Sequence, residues 1–208
     1  MVMRELHVTV PATERLKLIQ FNLSQDKCAM RPKVHRFRNI LPSGLPPVED
    51  VMTGEGLDAS ATNAGLTYWL LRASVRKKQY EEGGLTVLRV KVECDAREYP
   101  EADDTGYYET HMEVIGPRED RNIPDDIQRM PVLFSQSVDT MIWYATLRSR
   151  GCSLQVHHAR VGRATRLLLE HKIQVVARPR HEYVELDTNR AHDAAWEGKR
   201  YGFAEAVS

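Results

Sequence analysis

Apolar and polar residues alternate over Arg4–Val10 (RELHVTV), and a Val- and Thr-containing run of that period reads as a β-strand. Beyond Pro11 the period changes. Leu16, Ile19 and Leu23 recur at helical spacing behind Thr13, an N-cap residue type, which predicts a helix over 13–24. Lys27–Arg38 holds a second strand-like stretch, with Val34 and Phe37 among basic residues, and Asn39–Asn63 reads as a long loop punctuated by Pro42, Gly44, Pro46, Pro47, Gly54 and Gly56. Leu66, Trp69, Leu70, Ala73 and Tyr80 form a helical stripe that stops at Gly83-Gly84. Leu85–Cys94 and Tyr107–Val114 then read as strands. Pro117–Pro131 reads as a polar loop. Ser137 is placed to cap a helix through Val138, Met141, Ile142 and Ala145 to Gly151. Leu154–Val161 reads as a strand, Arg163–Leu169 as a short helix and Val175–Leu186 as the last strand.

Set side by side, the halves share an order of elements. Glu5-Leu6-His7-Val8-Thr9-Val10 faces Glu109-Thr110-His111-Met112-Glu113-Val114, and the closing strand Val87–Glu93 faces Val176–Glu182. The expected fold is α/β (α+β): internally duplicated β-α-β-α-β lobes, mainly antiparallel, with helices on the outer faces. The first lobe is 1–95, the second 105–190, and 191–208 is a C-terminal tail. Strand side chains alternate faces, so Glu5, His7 and Thr9 share one face, as do Glu109, His111 and Glu113. Arg89, Lys91 and Glu93 lie together, and so do Arg178, Arg180 and Glu182. Two such polar faces are most simply arranged across a common cleft.

Composition narrows the function classes. Lys+Arg and Asp+Glu are both 29, so the formal net charge is zero and a general polyanion binder is not expected. The three cysteines, Cys28, Cys94 and Cys152, are far apart and read as free thiols of a reducing compartment. With no secretory signal pattern and no apolar run of membrane-spanning length, the expected location is cytoplasmic. No P-loop, dinucleotide fingerprint, nucleophile elbow or CxxC pair is present, and no cofactor is expected.

The recurring His-x-(Thr/Glu)-x on a strand, once per lobe, resembles the two-histidine phosphoesterases, the LigT-like superfamily of RNA ligases and cyclic phosphodiesterases. That resemblance implies His7 and His111 as general acid and base and Thr9 as a phosphate donor. Glu113 stands where the second hydroxyl would be, a departure that places a carboxylate beside the phosphate. Arg89, Lys91, Arg178 and Arg180 would form the charge clamp for a nucleotide or RNA end, since phosphate is held by cations and neutral donors. The same residues allow other readings. His7, His111 and a carboxylate, Glu182 or Glu93, could form a facial metal triad, similar to paired-module vicinal-oxygen-chelate enzymes. The chain could also be a non-catalytic assembly protein in which these faces are ordinary ion-paired sheet surface. Glu93–Asp126, with twelve acidic residues against three arginines, would suit a homo-oligomer or a protein partner. The basic stretch Arg31–Arg38 reads as a phosphate signal or as a protected sheet edge, and His157-His158, taken as strand neighbours, point to opposite faces.

Overall fold

The alternation of the first strand becomes β1 (Arg4–Pro11), with Leu6, Val8 and Val10 fully buried on one face. The computed structural model of the chain describes residues 4–24, 33–40, 48–55, 65–101, 105–115, 132–137 and 140–189, with the backbone alone for 23–24, 33–40 and 48–55. The elements in chain order are β1, α1 (Arg15–Ser24), β2 (Lys33–Ile40), β3 (Val48–Glu55), α2 (Leu66–Glu82), β4 (Arg89–Asp95) and β5 (Tyr107–Ile115). There follow β6 (Val132–Ser137), β7 (Trp143–Ser149), α3 (Leu154–Glu170), β8 (Gln174–Val175) and β9 (Arg180–Asp187). The fold is mixed α/β, with three α-helices and one antiparallel sheet among the described residues.

The sheet curls until it meets itself. Its order is β7-β6-β2-β3-β1-β4-β9-β5-β8, and β5 also pairs with β7 over Tyr108–Val114, so eight strands form a ring with β8 as a short appendage. Every pairing is antiparallel. Within this ring the order β2-β3-β1-β4 is matched by β6-β7-β5-β9. In a β-α-β-β-α-β chain such an order keeps each crossover short. A helix lies between the third and fourth strands of each set, α2 in one and α3 in the other.

The helices cover the apolar strand face. Leu18 of α1 and Trp69, Ala73 and Tyr80 of α2 pack with Leu6, Val8, Val10, Val90 and Val92. Val161, Ala164 and Leu168 of α3 pack with Met112, Val114, Val132, Phe134, Ala145 and Leu147. Helix α2 ends at Gly84, whose φ of 75° is left-handed backbone. Gly84→Ala is expected to cost about 1–2 kcal/mol, because an L side chain there is strained. Urea denaturation measures it.

Several elements differ from the pattern reading: β6 lies in no predicted element, the last strand expected over Val175–Leu186 is split into β8 and β9, and the first half holds four strands where a β-α-β-α-β lobe has three. The expected loop 39–63 contains β3, a central strand whose sequence VEDVMTGE has no apolar–polar alternation and stands among prolines and glycines. Where a helix is expected from Ser137 to Gly151, Ser137 ends β6, the Met141 N–H donates to the Ser137 carbonyl at 2.7 Å, and β7 follows from Trp143. Ser137 Oγ does accept from the Thr140 backbone N–H at 3.3 Å, but Met141 has a φ of 60°, which ends any helix there. The expected strand Leu154–Val161 is the first half of α3, capped by Ser153, which accepts from the Val156 N–H. Its buried positions His157, Val161, Ala164 and Leu168 follow the helical repeat, visible only over a window longer than eight residues. The basic stretch is no edge strand, since β2 pairs with β3 on one side and β6 on the other. The loop 117–131 and tail 191–208 lie outside the described residues. Among the described residues no helix is long and apolar enough to cross a membrane.

Candidate functional site

The polar residues of β1, β4, β9, β5 and β7 share the face opposite the helices, on five strands consecutive around the ring. Register aligns Glu5 with Glu93, His7 with Lys91, and Thr9 with Arg89. On the other side Glu109 lies between Glu182 and Arg148, and His111 between Arg180 and Thr146.

Lys91 is the hub. Its Nζ lies 2.9 Å from Glu93 and 2.5 Å from Glu109, which belongs to a strand two places along the sheet. Glu109 also receives Arg148 at 2.9 Å. His7 Nε2 is 2.7 Å from Glu93 and 3.5 Å from Glu5. Arg180 reaches Glu5 at 2.9 Å and Glu182 at 2.5 Å. His111 sits 3.2 Å from Glu182, with its Nδ1 2.9 Å from the Thr146 hydroxyl. Arg89 holds Asp187 at 2.6 Å and donates to the Tyr107 hydroxyl at 2.9 Å.

Burial and charge oppose one another here, and charge prevails. Burial disfavours the His7 imidazolium, but Glu93 and Glu5 stabilise it and push its pKa up to about 10. His111 is likewise raised, against burial, chiefly by its hydrogen bond to Glu182 and by Glu109. Despite burial, Lys91 and His7 hold the Glu93 carboxyl well below the usual range, with His111 adding to the effect, so both imidazoles act on one carboxylate. Arg148 and Lys91 do the same for Glu109. Glu182 goes the other way, raised by burial and by the nearby Glu93.

Charge is unevenly spread along the face. From Arg89 to Glu93, four residues of β4 span about 13 Å. At one end Arg89 is joined by Arg148 and Arg150, each guanidinium 5.1 Å from the centre of the Tyr107 ring, a cation–π distance. At the other end stand Glu5, Glu93 and Glu182.

Of the residues singled out from sequence, His7, Thr9, His111, Arg89, Lys91 and Arg180 share this face. Arg178 is exposed ahead of β9. Glu113 lies on the face at a half-buried position opposite Tyr144. Arg148, Arg150, Thr146, Tyr107 and Asp187 were not anticipated. The signal for Arg148 was the alternation of Trp143–Ser149, masked by the helical reading. Asp187-Thr188-Asn189 ties β9 to β4: the Thr188 hydroxyl accepts from the Val90 N–H, and Asn189 donates to the Leu88 carbonyl.

A second polar cluster lies under α3. The Thr110 hydroxyl bridges His157 Nε2 at 2.6 Å and His181 Nδ1 at 2.7 Å, and His157 Nδ1 meets the Ser149 hydroxyl at 2.9 Å. Burial and the neighbouring imidazoles push His157 down to about 3, so it is neutral. The pair His157-His158 is therefore split by helix geometry, with His157 buried and His158 exposed. Thr110→Val is expected to cost about 1–3 kcal/mol, since two buried ring nitrogens lose their common partner. Chemical denaturation at neutral pH reads this directly.

Comparison with protein-family models, with curated proteins and with solved structures finds no match for the chain.

Proposed function

We propose that this polar face binds a phosphate-bearing ligand, a nucleotide or the end of an RNA, and that it acts on the phosphoester. The observation that carries the reading is the convergence of Arg89, Arg148 and Arg150 around Tyr107, on the same face as the imidazoles of His7 and His111, both paired with carboxylates. Guanidinium groups match phosphate oxygens in geometry and charge. In hydrolysis the His7 imidazolium donates a proton to the leaving oxygen, Thr9 hydrogen-bonds a non-bridging oxygen, and His111, in its neutral form, accepts the proton that the attacking water gives up. This is the division of labour that the resemblance to the two-histidine phosphoesterases implies.

The common strand order of the two sets, with Glu5 and His7 in β1 and Glu109 and His111 in β5, supports reading the chain as a duplication. In that reading the helices lie outside and both charged faces turn into one cleft.

The test is calorimetric titration with adenosine 5′-monophosphate. Binding in the range of about 1 mM or tighter is expected. Arg150→Ala, which removes a partly exposed guanidinium outside the ion-pair network, should weaken binding about tenfold, as loss of a charge-assisted hydrogen bond does. No binding to the unaltered chain, or equal binding by the variant, contradicts the reading.

A further inference from the structure

We infer that the face takes its phosphate together with a divalent first-row cation, held by Glu5, His7 and Glu93. The inference rests on the phosphate reading and names the co-ligand of that site. Its first support is geometric. One donor atom from each of these residues lies within 4.8 Å of the other two, with His7 Nε2 2.7 Å from Glu93 and 3.5 Å from Glu5. For metal–donor bonds of about 2.1 Å, neighbouring donors sit about 3 Å apart and opposite ones about 4.2 Å. A small contraction therefore brings all three atoms onto one ion. An imidazole with two carboxylates suits Mn2+ and its neighbours, and leaves coordination positions open for a phosphate oxygen.

The second support is charge. Four cations of the face already hold carboxylates: Arg89 has Asp187, Lys91 has Glu93 and Glu109, Arg148 has Glu109, and Arg180 has Glu5 and Glu182. A bare phosphate recruiting these groups would leave buried carboxylates uncompensated, which the protein interior strongly disfavours. A divalent cation between Glu5 and Glu93 supplies the missing charge. It releases Lys91 from Glu93 and Arg180 from Glu5, so that both can turn to the anion. Glu5, whose side chain is 37% exposed, gives the ion its way in. The ion takes the place of the His7 Nε2 proton, which is released to solvent, so with the cation bound His7 is a ligand in place of the proton donor it is without the ion, and His111 alone is left to carry a proton.

The experiment uses the full chain. Mn2+ alone is titrated and followed by loss of the free-ion paramagnetic resonance signal. Adenosine 5′-monophosphate, a weak chelator, is then titrated with and without saturating Mn2+. One Mn2+ per chain is expected, with nucleotide binding at least about tenfold tighter in its presence. Both effects should disappear in Glu5→Gln, a half-exposed position whose fold is checked by circular dichroism; the buried Glu93→Gln is the less safe variant. Nucleotide binding that ignores Mn2+, with no Mn2+ bound, overturns the cation site and leaves the phosphate reading standing. No nucleotide bound in either buffer overturns the phosphate reading and this inference with it.

Discussion

Lys91→Met is expected to lower the free energy of unfolding by about 3–5 kcal/mol, the cost of removing one partner from a buried ion-pair network. Lys91 is 6% exposed and stands between Glu93 and Glu109, which are 5% and 2% exposed. Methionine fills the volume of the lysine stem, so packing changes little and the loss reads out electrostatics. Two carboxylates are left facing each other, balanced by His7 and Arg148 and, from farther off, by His111. Lys77→Met on α2 is the control. Lys77 pairs with Glu81 at the surface, at i,i+4 spacing, and such a pair contributes about 0.3–0.5 kcal/mol. Urea denaturation of both variants separates the two cases by several-fold. A Lys91→Met loss as small as the Lys77→Met loss would mean that Glu93 and Glu109 are not held by this ammonium.

The second large effect is in pH. In metal-free buffer the unfolded His7 titrates near 6.5 and the folded one near 10. A group raised on folding contributes stability that is fully present below the unfolded value and lost as pH rises through the folded one. Stability is therefore expected to decline between pH 6.5 and 10, by about 4–5 kcal/mol at about 1.4 kcal/mol per pH unit. His157 gives the opposite limb. Its folded value near 3 lies below the unfolded 6.5, so the unfolded chain binds the extra proton and stability falls as pH drops below 6.5. Denaturation curves at pH 5, 6.5, 8 and 10 define both limbs. His7→Gln should flatten the alkaline limb and leave the acid limb in place. An alkaline limb unchanged in that variant would assign it to another group.

The chemistry-bearing strands were legible because half-buried strands advertise themselves. β1, β4 and β5 each alternate apolar with charged residues over six or more positions, and the face they share follows from the period alone. What could not be read was the neighbour of each strand. Nothing local says that Arg148 meets Glu109, because that contact depends on β5 pairing with β7 across the closure of the ring. β3 was lost because Pro46, Pro47, Gly54 and Gly56 flank or interrupt it, and VEDVMTGE carries no alternation to set against those turn residues. The first half of α3 was misread since Val156, His157 and Val161 look strand-like until the buried set out to Leu168 is included. The self-compensation of the clamp was also invisible. Arg89, Lys91 and Arg180 read as a basic surface, and only the folded register shows a carboxylate on each.

In the proposed function, strands from both halves of the chain build one ligand site. Its most direct test is a titration of the protein, labelled at the histidine imidazole nitrogens, with adenosine 5′-monophosphate, followed by nuclear magnetic resonance. The His7 and His111 ring signals are expected to shift together along one binding curve, while His157, under α3, stays fixed. Shifts confined to one of the two imidazoles, or two unrelated curves, would contradict it.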